Sequence, residues 1–359
     1  SNEILVQNIL IVTSKNFSKR GVINAVKHCL KGKDISVIDN VEKEPSINQL
    51  EFWQEDTFDL DTIDKELSLS SSIGMNTQRV FLHDLLWEQD SIGFIKRIDQ
   101  YLTISEKYGI KTMLVFFDGV WHPSPKLGKQ PEPLLNVHNS GWVQSPGAKL
   151  LRDTLAYYKL EKYVKGIVKY FSNDQRVLIW DLYNEPGQFG VGEKSIKLLD
   201  LTWKWAREVN PTQPLTSCLD GSVGDDIIQL NLDNSDVITF HTYEKDKLEP
   251  TIKRLKETQR PVICTEYMAR QFGTSFQFSL PIFKKHNVGC YNWGLVAGKS
   301  QTHFGWETIM NLHDLKQKGE FIEDGEDIPE PEIWFHDIYR KNGSAFDEEE
   351  VNFIKKILS

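Results

Sequence analysis

The order of apolar runs in this sequence predicts a single α/β barrel of eight strand–helix units, (β/α)8, with long loops after the third and eighth strands. Three observations carry that prediction. Eight short runs are almost continuously hydrophobic, the mark of strands covered on both faces in a parallel sheet. Longer segments between them repeat apolar residues at helical spacing. Polar residues gather just past the ends of several runs, at the rim where such a barrel builds its sites.

The first 34 residues carry the weakest pattern. There "FSKRGVINAVKHCLKGKD" reads as a short basic helix, part of an extension over 1–34 packed on the barrel's edge. The barrel is expected over 35–359. Its strands read as "ISVID" (35–39), "TQRVFL" (77–82), "TMLVFF" (112–117) and "VLIW" (177–180). "PLTSC" (214–218), "DVITF" (236–240), "PVICT" (261–265) and "VGCYNW" (288–293) complete the set. Between them, Phe94, Ile98, Tyr101 and Leu102 share one helical face. Leu160, Val164, Ile167, Val168 and Phe171 share another.

Two connections are long, and long loops in compact domains tend to be functional. Residues 118–152 carry Trp121, His122 and Trp142; residues 294–329 carry His303, Trp306 and His313.

Composition narrows the partners. The chain has 359 residues, a net charge of −9 and 40% hydrophobic residues, enough apolar material for a large core. The acidic balance argues against nucleic acid or an anionic membrane. No run approaches the roughly 18 apolar residues of a membrane span, so a soluble protein is expected. The start Ser1-Asn2-Glu3 reads as a processed end, and export is favoured over a cytoplasmic location. Cys29, Cys218, Cys264 and Cys290 show no paired spacing and read as buried free thiols. A monomer is expected.

The rim residues carry the chemistry. Arg79 lies in the second strand, with His83 and Asp84 just past its end. Asn184 and Glu185 end the fourth, His241 and Tyr243 the sixth, Glu266 the seventh and Trp293 the eighth. Two glutamates facing each other across a barrel mouth suit glycoside hydrolysis, in which one protonates the leaving oxygen and the other attacks the anomeric carbon. An arginine and a tyrosine hydroxyl beside one glutamate keep it ionised. The other, desolvated near that charge, has a raised pKa and stays protonated. Asn184 can hold a sugar hydroxyl and Trp293 can stack on a pyranose face.

The motifs "NTQRVFLHDLLWEQD", "WDLYNEPG", "TFHTYE", "VICTEYMAR" and "YNWGLVAG" resemble the retaining β-glycosidases of glycoside hydrolase clan A, particularly family five and its cellulase-like and xylanase-like relatives. The resemblance spans about residues 35–340 and implies a TIM barrel. It makes Glu185 the acid/base and Glu266 the nucleophile, with Arg79, Asn184, His241, Tyr243 and Trp293 in support. It implies no metal and no cofactor, and a β-linked glycan, β-1,4 for preference, as substrate. The sequence departs from the family twice: "FFDGVWH" offers Asp118 first and His122 later, and "ISVIDNVEKEP" lacks a glycine-aromatic pattern. Asp118, Trp121, His122, Trp142 and Trp306 are candidate substrate contacts, and each could equally anchor a loop. Three alternatives stand beside this reading. A metal-dependent hydrolase would want a His-x-His pair, which none of the nine histidines forms. An inactive sugar-binding barrel and a transglycosylase using the same glutamates are the others.

Overall fold

Pro45 opens the larger of two compact units, Pro45–Ser359; the smaller is Ser1–Glu44. The computed structural model describes residues 45–219, 221–309 and 331–359, with the backbone of two strands in the smaller unit. Those strands, β1 (Asn8–Val12) and β2 (Asp34–Ile38), pair in parallel from Asn8↔Asp34 to Val12↔Ile38. The run expected to open the barrel thus has Asn8–Val12 as its partner, and the unit boundary falls after it rather than before it. A short parallel strand in a separate unit shows the same apolar pattern as a barrel strand, so periodicity alone does not separate them. The expected basic helix lies, apart from Asp34, outside the described residues.

The larger unit alternates strand and helix. Its strands are β3 (Thr77–Phe81), β4 (Lys111–Asp118), β5 (Val177–Asn184), β6 (Leu215–Thr216), β7 (Ile238–His241), β8 (Val262–Tyr267) and β9 (Gly289–Asn292). All pairings are parallel, in the orders β3-β4-β5-β6 and β7-β8-β9. The two sheets run on into each other. Asp236 N–H donates to the Leu215 carbonyl at 2.9 Å and Leu219 N–H to the Thr239 carbonyl at 2.8 Å. At the other side Thr77 Oγ1 and Tyr291 OH bridge β3 and β9 at 2.8 Å. Parallel strands joined by helices along the wall make the α/β (TIM) barrel.

Helices cover the strands because their apolar faces have nowhere else to go. The helix Asp84–Lys107 buries Phe94, Ile98, Tyr101 and Leu102, and Tyr157–Phe171 buries Leu160, Val164, Ile167, Val168 and Phe171. Burying one such side chain contributes about 1.5–3 kcal/mol. β4 is buried from Thr112 to Asp118, whereas in β3 only Phe81 is buried. His83, expected near the rim, instead caps a helix: its Nδ1 accepts from Leu85 N–H at 3.2 Å. Cys218 and Cys264 are buried free thiols, and Cys290 is free and half-buried. Among the described residues, no helix is long and apolar enough to cross a membrane.

The connection after β4 leaves the barrel and returns to its starting point. Asp118 N–H donates to the Ser145 carbonyl at 2.6 Å, and Ser145 N–H donates back to Asp118 at 3.1 Å. The connection after β9 is described to residue 309; His313 lies outside the described residues.

Candidate active site

Arg79 leaves β3 toward the barrel axis and organises the site by donating to three residues on two other strands, β5 and β8. Its Nε donates to Asp181 Oδ2 at 2.9 Å, Nη1 to Glu266 Oε1 at 2.8 Å and Nη2 to Asn184 Oδ1 at 2.7 Å. Burial opposes the guanidinium charge, but Asp181 and Glu266 outweigh it and hold the proton. Asp181 is wholly buried, so each charge there depends on the other. Tyr243 closes the second face of Glu266: its hydroxyl donates to Oε2 at 2.8 Å. Burial first, then the Glu266 charge, pushes the Tyr243 hydroxyl well above its ordinary range, so it remains a donor.

Glu185 stands one residue beyond β5 with a left-handed backbone, φ 45°. Its carbonyl dictates a neighbour's identity, since a Cβ on Gly119 would come within 2.6 Å of it. Gly119 N–H in turn donates to the Asn184 carbonyl at 2.9 Å. Burial raises the Glu185 pKa against the pull of His241, and the Glu266 charge adds to the rise. His241 Nδ1 lies 2.8 Å from Glu185 Oε1 and 3.6 Å from Glu266 Oε2. Burial disfavours the imidazolium, but the Glu266 charge and the bond to Glu185 outweigh it and raise the His241 pKa.

One oxygen of each glutamate and a ring nitrogen of His241 lie within 4.8 Å of one another. Such a trio has the donor types of a metal site. Here Arg79 and Tyr243 already occupy the two oxygens of Glu266, and His241 Nδ1 faces Glu185. That arrangement suits proton exchange between two carboxyl groups in unlike surroundings better than a cation.

The two glutamates, His241 and Tyr243 line a cleft of about 620 Å³. Asp118, Trp121, Trp142, Asn184, Glu185, His241, Tyr243, Glu266, Trp293 and Trp306 all contribute to its wall. Trp142 does double duty. It donates Nε1–H to Asp118 Oδ2 at 2.6 Å and meets Trp293 edge to face, ring centres 5.3 Å apart. Asp118, the last residue of β4, accepts from Asn184 Nδ2 at 2.9 Å. Burial pushes its carboxyl up to about 7 against these bonds. Arg79 and Asp118 thus hold the Asn184 amide from both ends, and it is 2% exposed.

His122 is the exception. It is exposed, its Nδ1 accepts from Ser124 N–H at 3.3 Å, and it is not part of the cleft wall. Sequence reasoning missed Asp181, although an acid inside "VLIWDLYN" is the signal of a buried ion pair. It also missed Phe189, His138 and His336, which join the wall from irregular segments, and Phe272, which ends a three-residue 3-10 helix too short to show a period.

The family model "Glycosyl hydrolases family 2, TIM barrel domain" matches residues 153–299, a stretch that includes both glutamates. No curated protein matches the chain in sequence. Among solved structures, the endo-1,4-β-D-mannanase of Thermotoga petrophila RKU-1 superposes with a TM-score of 0.54 at 14% identity, covering 87% of this chain and 97% of that one. An exo-β-1,4-mannosidase from Opitutaceae bacterium strain TAV5 gives a TM-score of 0.56 at 16% identity, covering 86% of this chain and 57% of its own. The endo-1,4-β-mannanase of Rhizomucor miehei gives 0.50 at 13%, covering 72% and 88%. The chain is thus a TIM barrel that resembles the glycoside hydrolases of clan A.

Proposed function

We propose that the protein is a retaining β-glycoside hydrolase acting on β-linked oligo- or polysaccharides by double displacement. The observation that carries this reading is the pair of glutamates, with oxygens within 4.8 Å of each other and opposite surroundings. Retaining enzymes hold their carboxyl groups about 5–5.5 Å apart, inverting ones about 6.5–9.5 Å to admit a water. Glu266, held by Arg79 and Tyr243, is aimed as a carboxylate nucleophile. Glu185, with its pKa raised by burial, is the acid.

In the first step Glu266 attacks the anomeric carbon while Glu185 gives its proton to the departing oxygen. In the second, Glu185 takes a proton from water, which releases the sugar with its original configuration. Asn184 is placed to meet a ring hydroxyl beside the reacting carbon, and Trp293 offers an apolar face. Structural neighbours that act on β-1,4-mannans support a β-1,4-linked substrate.

The test is hydrolysis of mannans, glucans, xylans and aryl β-glycosides, with chemical rescue by azide. Glu185→Ala should lose about 10²–10⁴-fold on poor leaving groups, much less on activated aryl glycosides. Azide should then give a β-glycosyl azide. Glu266→Ala should be the less active variant and, with an α-glycosyl fluoride as donor, should not hydrolyse it by the two-step route. Swapped behaviour would reverse the roles. A wild type that binds glycans but cleaves none would favour a binding protein.

A further inference from the structure

One end of the cleft is shut by bonds between two connections. β3 stands between β4 and β9, and the connections after those two strands meet across it. Asn139 N–H donates to the Ser300 carbonyl at 2.7 Å, and Asn136 N–H to Gln301 Oε1 at 2.6 Å. Gln301 Nε2 returns a bond to the Leu134 carbonyl at 2.7 Å. His138 N–H donates to Thr308 Oγ1 at 3.1 Å, and its Nδ1–H to the Phe304 carbonyl at 2.7 Å. Three rings stand beside this strap. Trp142, whose N–H donates to the Asn139 carbonyl at 3.1 Å, meets Phe81 and Trp293 edge to face, ring centres 5.3 Å from each. Phe81 and Trp293 meet in the same way at 5.6 Å. At the opposite end the connections after β5 and β7 contribute Phe189, Glu244 and Lys247, all exposed.

The shut end holds two acceptors with nothing to accept. Asn139 Oδ1 and His336 Nε2 are buried without a hydrogen-bond partner, and both residues line the cleft. His336 Nδ1 donates its proton to the Met268 carbonyl, so Nε2 carries only a lone pair. Burial holds the pKa of this ring well below the usual histidine range, which keeps it neutral. His336 stands between the strap and the residue that holds Glu266, its ring centre 5.3 Å from His138 and 5.5 Å from Tyr243. Buried acceptors are nearly always satisfied, so two of them in a cleft wall point to a ligand that brings hydroxyl donors.

We propose that the protein works from the non-reducing end of its substrate, holding a single terminal sugar at the shut end with Asn139 and His336 accepting from its distal hydroxyls. This rests on the retaining-hydrolase reading above. The sugar that becomes bonded to Glu266 lies on Trp293, while its departing partner leaves past Glu185 toward the open end. The carbon opposite the reacting one therefore points at the strap. A second sugar there would run into Phe81, Trp142 and the bonded connections. An internal β-1,4-linked ring has also lost the 4-hydroxyl, one of the donors that the two acceptors require.

The test counts the rings that fit on the Glu266 side. Nitrophenyl β-glycosides of mannose, glucose and xylose are compared with the matching β-1,4-biosides, plain and with the terminal 4-hydroxyl methylated. The monoside should release phenol at once. The plain bioside should first give free monosaccharide and the nitrophenyl monoside, so that phenol appears after a lag. Methylation should slow the bioside by about 100-fold or more, since it removes a donor the site is built to meet. Asn139→Gly suits the left-handed backbone at φ 51°, so its melting temperature should hold. It should cut the preference for the plain bioside over the methylated one by about tenfold, the share of one hydrogen bond. Disaccharide released in one step, a methylated bioside cleaved as fast as the plain one, or an unchanged preference in Asn139→Gly would each overturn the proposal and leave the hydrolase intact. A wild type that cleaves none of these glycosides would overturn the hydrolase reading itself, and the proposal with it.

Discussion

On the proposed double-displacement route, with Glu266 as nucleophile, Tyr243→Phe removes one oxygen and tests the second half of the reaction separately from the first. The hydroxyl donates to Glu266 Oε2 at 2.8 Å and the ring is held against Trp306, so the variant keeps its shape. A hydrogen bond to a charged group contributes about 1.5–3 kcal/mol. During attack Glu266 loses its charge, and the bond weakens in the transition state. During release Glu266 regains the charge, and the bond strengthens as the sugar leaves. With about 1.4 kcal/mol per factor of ten, its loss should slow release by about 10- to 100-fold. His241 Nδ1, 3.6 Å from the same oxygen, can compensate in part, which favours the lower figure. The assay is stopped-flow hydrolysis of an activated aryl β-glycoside. A burst of phenol followed by a slow steady state, with a lowered apparent KM, is expected. A variant that folds normally yet shows no burst and a kcat within twofold of wild type would refute the reasoning.

Three further outcomes follow from the same geometry. Arg79→Ala leaves Asp181 buried without its cation and should lower stability by about 3–5 kcal/mol in denaturant titration, besides abolishing activity. Gly119→Ala drives a Cβ against the Glu185 carbonyl and should cut kcat more than it lowers the melting temperature; unchanged kcat would deny that contact a role. The third concerns pH. Burial pushes Asp118 and Glu66 up to about 7 and Asp337 up to about 6, all from ordinary values near 4. Such acids bind more protons folded than unfolded across that window, so stability should fall as pH rises from about 4 to 7 and then level off. Melting curves at pH 5 and pH 8 check the sign, and Glu66→Gln should flatten the slope.

Seven barrel strands and the covering faces of two helices were readable because burial on both sides writes long apolar runs and burial on one side writes a 3.6-residue period. The same rule misplaced 35–39, since "ISVID" carries no mark of which sheet it joins. Arg79, Asn184, Glu185, His241, Tyr243, Glu266 and Trp293 could be gathered because strand ends of a parallel barrel share one rim; six of them line the cleft, and Arg79 reaches it through its bonds to Glu266 and Asn184. The loops resisted. Trp142 and His122 looked alike from sequence, yet one is tied to Asp118 and the other faces solvent. Phe189 sits between glycines in "GQFGVG", where composition alone suggests a bare turn.

The two backbone bonds between Asp118 and Ser145 pinch the connection after β4 at its neck. The segment beyond that clasp has a closed base and is tied elsewhere to Asn48, Gln54 and Gln301 rather than to β4, so changes of length at its tip are not transmitted to β4. Loop closure adds only about 0.6 kcal/mol for each doubling of length. The part of the segment away from Gly119, Trp121 and Trp142 is therefore an exchangeable cassette: lineages could lengthen, trim or replace it while those three residues and the ones holding the two glutamates stay as they are. Diversity among relatives should concentrate there, and so should the success of grafted loops in engineering.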